Sequence, residues 1–128
     1  MDSTIQAAVR ILLVEDEALL REYAAESLRE EGFEVQAVGD GEAGLKALQS
    51  DAPIDVLLSD IRLPGVSGYE LAEAGRMLRP ALKMILMTGY APGLPQTLEH
   101  TVHCVLQKPF RIDTLTDVIT GALAAGAA

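Results

Sequence analysis

The stretch Ile54-Asp55-Val56-Leu57-Leu58-Ser59-Asp60-Ile61-Arg62-Leu63-Pro64-Gly65-Val66-Ser67-Gly68-Tyr69-Glu70-Leu71 decides how the chain is read. Its apolar run, Val56 to Leu58, passes through Ser59 and stops on an acid, Asp60. A run of this length bounded by turn residues fits a strand buried on both faces. Pro64, Gly65 and Gly68 then mark the exit from a sheet before a new helix at about Tyr69. Asp60 therefore stands where a parallel strand runs out, the edge on which open α/β sheets build their sites. One strand-end aspartate is usually a solvated loop acid, so its meaning depends on what ends the other strands.

Working outward, other apolar runs frame this one. Residues 10–14 run straight into Glu15-Asp16-Glu17. Residues 33–38 alternate weakly and are polar enough for an edge strand, residues 83–87 end in Thr88-Gly89-Tyr90, and residues 102–106 end in Gln107-Lys108-Pro109-Phe110. Helical patterns lie between them. Over residues 18–31, Leu20, Tyr23, Ala24, Ser27 and Leu28 share one face, with Gly32 as a C-terminal stop. Asp40 caps a short helix that carries Leu45 and Leu48 inward, and Leu71, Ala74, Gly75 and Leu78 form a stripe that Pro80 terminates. Leu115, Val118, Ile119, Ala122 and Leu123 repeat at helical spacing in the closing helix. Between the fourth and fifth strands, Pro92, Gly93 and Pro95 make a poor helix, a turn or two over residues 95–100. Residues 1–9 read as a short leader and 125–128 as a frayed tail, leaving 10–124 as the folded domain.

Strands that alternate with helices argue for an α/β fold, a doubly wound five-stranded parallel sheet with helices on both faces. Right-handed crossovers point all its strands the same way, so the residues that end them gather on one edge. The bulk properties fit. At 128 residues the chain is one domain of ordinary size, and 49% apolar residues exclude a disordered chain. A net charge of −9, with the ten Lys and Arg scattered, repels phosphate backbones and anionic lipid, which argues against nucleic-acid and membrane partners. No apolar run approaches bilayer length, and the start, Met1-Asp2-Ser3-Thr4, is acidic and polar, unlike a secretory signal. Cys104 stands alone, which rules out an internal disulfide and a cysteine-based metal site. A soluble cytoplasmic protein is the simplest account.

The shared edge collects Glu15 and Asp16 from the first strand, Asp60 from the third, Thr88 from the fourth and Lys108 from the fifth. Carboxylates gathered within about 4–8 Å repel by about 2–4 kcal/mol per pair at an effective dielectric near 20. Several such pairs would use up much of a domain stability of about 5–15 kcal/mol, so the cluster calls for a cation. An all-oxygen set with few ligands suits Mg²⁺, which keeps waters and takes one or two carboxylates plus phosphate oxygens. Lys108 adds a mobile positive charge and Thr88 a neutral donor, which describes a site that carries a phosphoryl group on a carboxylate.

From Arg10 to about Leu123 the chain resembles the receiver (CheY-like) domain of two-component response regulators, single-domain type. Four segments carry the resemblance: Ile11-Leu12-Leu13-Val14-Glu15-Asp16-Glu17; Leu57-Leu58-Ser59-Asp60-Ile61-Arg62-Leu63-Pro64-Gly65 with Gly68; Ile85-Leu86-Met87-Thr88-Gly89-Tyr90; and Lys108-Pro109-Phe110. Each is weak alone, but all four in order at this spacing are specific. The resemblance implies a flavodoxin-like sheet in the order 2-1-3-4-5. It implies that Asp60 accepts a phosphoryl group from a histidine kinase or histidine phosphotransfer protein. By the same resemblance Asp16 and Asp60 ligate Mg²⁺ directly, Glu15 acts through water, and the backbone carbonyl of Arg62 completes the set. Thr88 and Lys108 hold phosphoryl oxygens, and the Lys108-Pro109 bond is cis. Such a protein is no enzyme beyond assisting its own phosphorylation and dephosphorylation; its output is binding to a downstream protein, because no output domain fits in this length. Met1 and the absence of a linker favour a stand-alone protein over a receiver excised from a hybrid histidine kinase.

Two departures stand out. Receivers commonly carry Tyr or Phe three residues before the strand-five lysine, and this chain has Val105. Pro92, Gly93 and Pro95 weaken the fourth helix, which points to a signal carried by ordering of residues 90–98. Among residues outside the set, Glu17 reads as a first-turn helix acid favoured by the dipole, His100 and His103 as surface or rim groups, Cys104 as a small core residue, and Tyr69 as a packing residue at a helix start. Tyr90 either shields the phosphoryl group or is an exposed loop tyrosine, and the same two readings hold for Arg62. Of the rival functions, a never-phosphorylated binding module gains nothing from clustered acids. A haloacid-dehalogenase-type phosphatase wants an acid where Arg62 stands, and a flavin module wants a phosphate cradle where Glu15-Asp16-Glu17 would repel it.

Overall fold

The computed structural model describes residues 8–89 and 102–125. Along the chain run β1 (Arg10–Val14), α1 (Ala18–Glu30), β2 (Glu34–Val38), α2 (Gly41–Gln49), β3 (Val56–Asp60), α3 (Gly68–Leu78), β4 (Lys83–Thr88), β5 (Val102–Gln107) and α4 (Ile112–Ala125). The strands pair in parallel, as the alternation of elements predicts, in the order β2-β1-β3-β4-β5 that the family resemblance implies. The strand β3, every residue of which is buried, sits at the centre, and the polar β2 takes an edge. Two cores result. Leu12, Leu57, Met84 and Leu86 pack on one face of the sheet with Leu48 and Leu71 of α2 and α3. On the other, Ile11, Leu13, Leu58 and Ile85 pack with Leu28 of α1 and Leu115 and Ile119 of α4.

Local chemistry sets the element ends. The Asp40 carboxylate accepts the Ala43 N–H at 2.7 Å and starts α2. Ser67 and Glu70 form a reciprocal capping box at the start of α3, with bonds of 3.1 and 2.9 Å. Gly32, at φ +100°, takes the left-handed conformation that ends α1. At the far end of α3 the Arg79 guanidinium reaches across to α2 and donates to the carbonyls of Leu48 at 3.0 Å and Ser50 at 2.7 Å, groups that a helix C-terminus leaves without partners.

The helix faces differ from the sequence expectation in two places. Tyr23 is 60% exposed and Ala25 is buried in its stead, and Leu78 is 48% exposed while Ala72 is buried. In both helices an alanine joins the buried leucine, Leu28 in α1 and Leu71 in α3, at the sheet, while Tyr23 and Leu78 are turned outward. Glu17 is not a first-turn residue but the N-cap of α1, with no side-chain capping bond. Val105 is half-buried against the α2/α3 core with Leu86 opposite, Cys104 is half-buried against the other core, and His103 is exposed where the β4–β5 register shifts. Tyr69 packs at the start of α3 as expected. The expectations for Tyr90, Pro92, Gly93, Pro95 and His100, and for most of the leader and tail, lie outside the described residues. Among the described residues no helix is long and apolar enough to cross a membrane.

Candidate functional site

The C-terminal edge of the sheet collects the side chains that the sequence singles out. Strand pairing runs one residue beyond β1, because the Glu15 N–H donates to the Val38 carbonyl at 3.1 Å. That bond carries Glu15 to 2% exposure, whereas the next residue, Asp16, is open to solvent. Asp60 closes β3 at 8% exposure, and Thr88 lies buried at the end of the neighbouring β4. Lys108 follows β5, its backbone N–H bonded to the Thr88 carbonyl at 2.6 Å, and the Lys108-Pro109 bond is cis.

Two turns behind Asp60 are held without slack. The Ile61 N–H donates to the Met87 carbonyl and the Gly68 N–H to the Ile61 carbonyl, each at 2.9 Å. A Cβ on Gly68 would run into the Asp60 carbonyl oxygen, and one on Gly41 would run into the Val66 carbonyl oxygen. Both positions therefore need glycine for close backbone approach. The turn after Asp60 is thus clamped between β3 and the first turn of α2, with the Arg62 side chain left exposed.

The Lys108 ammonium bridges two of the acids. Its Nζ donates to Glu15 Oε1 at 2.6 Å and to Asp60 Oδ2 at 2.9 Å, while the second oxygen of Glu15 accepts the Glu17 N–H at 3.1 Å. Carboxylate oxygens of Glu15, Asp16 and Asp60 all lie within 4.8 Å of one another. At such a separation and an effective dielectric near 20 each pair repels by about 3 kcal/mol, and a single ammonium offsets part of the sum. Burial pushes the Glu15 carboxyl above the ordinary glutamate range, aided by the Asp60 charge and opposed by the bonds from Lys108 and the Glu17 N–H. Burial pulls the Lys108 ammonium down, but its bonds to Glu15 and Asp60 outweigh that pull and raise its pKa above that of a free lysine.

Glu15, Asp16, Asp60 and Lys108 are thus brought together as the sequence places them, with Thr88 at the end of the adjoining strand. The sequence does not announce that Lys108 spans Glu15 and Asp60, nor that Arg21 donates from Nη1 to the Glu15 carbonyl at 2.8 Å. The donor set is all oxygen, which fits Mg²⁺ or a similar hard cation and no soft metal.

A sequence profile of the response regulator receiver domain matches residues 11–120. The response regulator receiver protein CpdR of Brucella abortus is 33% identical over 118 residues, covering 91% of this chain and 98% of that protein. Other curated relatives are longer: the chain spans 49% of a probable transcriptional regulatory protein of Picosynechococcus and 24% of the response regulator protein FleR of Pseudomonas aeruginosa. Among solved structures, a CheY-like receiver domain protein of Methanospirillum hungatei superposes with a TM-score of 0.86 at 30% identity, over 94% of this chain and 98% of that one. The response regulator TrrA of Thermotoga maritima, in complex with Mg²⁺-BeF, superposes at 0.77 with 31% identity, over 89% of this chain and 98% of that one.

Proposed function

This chain belongs to the response regulator receiver domain family, and from that premise we propose that Asp60 is its phosphoacceptor, charged by a histidine kinase or histidine phosphotransfer protein. One Asp60 carboxylate oxygen attacks the phosphorus of a phosphohistidine; the new O–P bond forms as the N–P bond breaks, and the imidazole leaves with the electron pair and takes up a proton. Asp16 and Asp60, the Arg62 carbonyl and, through water, Glu15 would hold Mg²⁺. The ion would neutralise the charge that gathers on the phosphoryl oxygens.

The chain's own residues do the rest. Lys108 already bonds an Asp60 oxygen, so it is placed to pass to a phosphoryl oxygen while Glu15 keeps hold of its other side. The Thr88 hydroxyl would bond a second phosphoryl oxygen. The observation that carries this assignment is the excess of acid over base: three carboxylates within 4.8 Å share one ammonium. A divalent cation cancels the two charges left over, and a binding module that is never phosphorylated has no use for them. The Mg²⁺-BeF complex of the Thermotoga relative supports the same view. The phosphoryl group would then alter binding to a downstream protein in the cytoplasm.

The test is labelling by acetyl phosphate. Wild-type protein takes the label only with Mg²⁺, and Asp60→Asn takes none. Label that persists on Asp60→Asn, or a wild type that stays unlabelled with Mg²⁺ and acetyl phosphate in excess, overturns the assignment.

A further inference from the structure

We propose that Arg21 is a positioning residue for the cation site: its guanidinium fixes the turn between β1 and α1 in the shape that directs Asp16 toward Asp60. The inference rests on the Mg²⁺ assignment above. Asp16 is the exposed member of the acid cluster, so burial does little to direct its side chain. Its direction depends on the backbone on either side. The Glu15 carbonyl and the Asp16 N–H belong to one planar peptide unit, so a bond that fixes this carbonyl also fixes the plane from which Asp16 departs. Arg21 makes that bond, at 2.8 Å.

Arg21 is well placed to do so. Its own N–H closes the first turn of α1 on the Glu17 carbonyl at 2.8 Å. Helical side chains lean toward the helix N-terminus, which sends this one back over the turn that precedes α1. The path is kept open from the far side by Gly39, between β2 and α2. A Cβ there would stand 2.9 Å from Arg21 Nη1 and 3.4 Å from its Cζ. Gly39 is not among the glycines with positive φ, so a Cβ there would act only by crowding the guanidinium and shifting it. Three segments therefore meet on one guanidinium: the end of β1, the start of α1, and the β2–α2 turn.

Charge and geometry make opposite predictions. A cation beside a cation site repels Mg²⁺, so if Arg21 acted through its charge, removing it would tighten Mg²⁺ binding. If it acts by holding the peptide plane, removing it loosens Asp16 and weakens binding. Calorimetric titration of MgCl₂ into the whole chain separates the two. Arg21→Ala is expected to bind Mg²⁺ about tenfold more weakly, at the lower end of what loss of an outer-sphere partner costs. Gly39→Ala keeps the charge but displaces Nη1, and is expected to weaken binding by a smaller factor. In metal-free protein the Glu17 amide, bonded to Glu15 in the same turn, is expected to exchange faster in both variants. Unchanged or tighter Mg²⁺ binding in Arg21→Ala overturns the proposal, as does unchanged Glu17 exchange. Should Arg21→Ala fail to fold, Gly39→Ala decides by the same two readouts. A wild type that takes up no Mg²⁺ would count against the cation assignment itself, and the exchange measurement would still decide whether Arg21 braces the turn.

Discussion

At the N-terminal edge of the sheet Arg10 meets Glu34 at 3.4 Å with both side chains substantially open to solvent, and the Asp55 carboxylate accepts the Arg10 N–H at 2.8 Å. At the opposite edge Lys108 reaches Glu15 and Asp60 at 2.6 and 2.9 Å, and Glu15 is almost wholly enclosed. The strands are the same, yet the two edges handle charge differently. At the first edge each charge has a local partner and water nearby, so little depends on any one of them. At the second, acids outnumber the cation and the pair is shut away, so each group depends on the others. Folding alone would favour the first arrangement at both ends. Under the function proposed above, an added cation and a phosphoryl group would complete the second.

Substitutions that bear on this contrast can be ranked. The largest effect is expected from Lys108→Met, which strands Glu15 and Asp60 without a counter-ion and should cost about 3 kcal/mol in metal-free urea unfolding. The sign of its pH dependence follows from Glu15. A carboxyl whose folded pKa stands above its unfolded value binds more protons when folded, so stability falls as pH climbs from the ordinary glutamate range toward the displaced value. Lys108→Met should steepen that fall, and a profile parallel to wild type would show that the ammonium is not what holds the acids.

Asp16→Ala should move the other way. It removes one repelling acid, and since Asp16 is exposed the gain in metal-free protein should be about 1 kcal/mol. The same variant should lose the stabilisation that wild type gains from Mg²⁺. A lower metal-free melting temperature than wild type would show that the acids are not under mutual strain. The smallest effect belongs to the other edge: Glu34→Gln should change stability by about 0.5 kcal/mol or less, at any Mg²⁺ concentration. A larger loss there would erase the distinction between the two ends.

Much of the fold was legible because its signals are local. The run from Val56 stops at Asp60 for reasons present within the segment itself, the apolar residues before it and the Pro64-Gly65 turn after it. The gathering of Glu15, Asp60, Thr88 and Lys108 on one edge then followed from parallel topology. Less was legible wherever a side chain makes its choice across the sheet. Lys108 lies 93 residues from Glu15 and 48 from Asp60, and no spacing states which acid it will grip. The inner face of α1 is hard to read for a related reason: helical spacing alone does not say that Ala25 rather than Tyr23 is buried against the sheet. Arg21 and Gly39 carry no motif at all; their relation exists only once three segments have converged.

The reach of Arg79 into the end of α2 has a consequence for how the chain can be rewired. Its bonds to the Leu48 and Ser50 carbonyls span 31 and 29 residues, and they fasten α2 to α3 independently of the peptide link that leaves α2. Residues 51–53 of that link are exposed. New termini opened there, as in a circular permutant, would leave the two helices docked by a guanidinium clasp and the opposite rim of the sheet undisturbed.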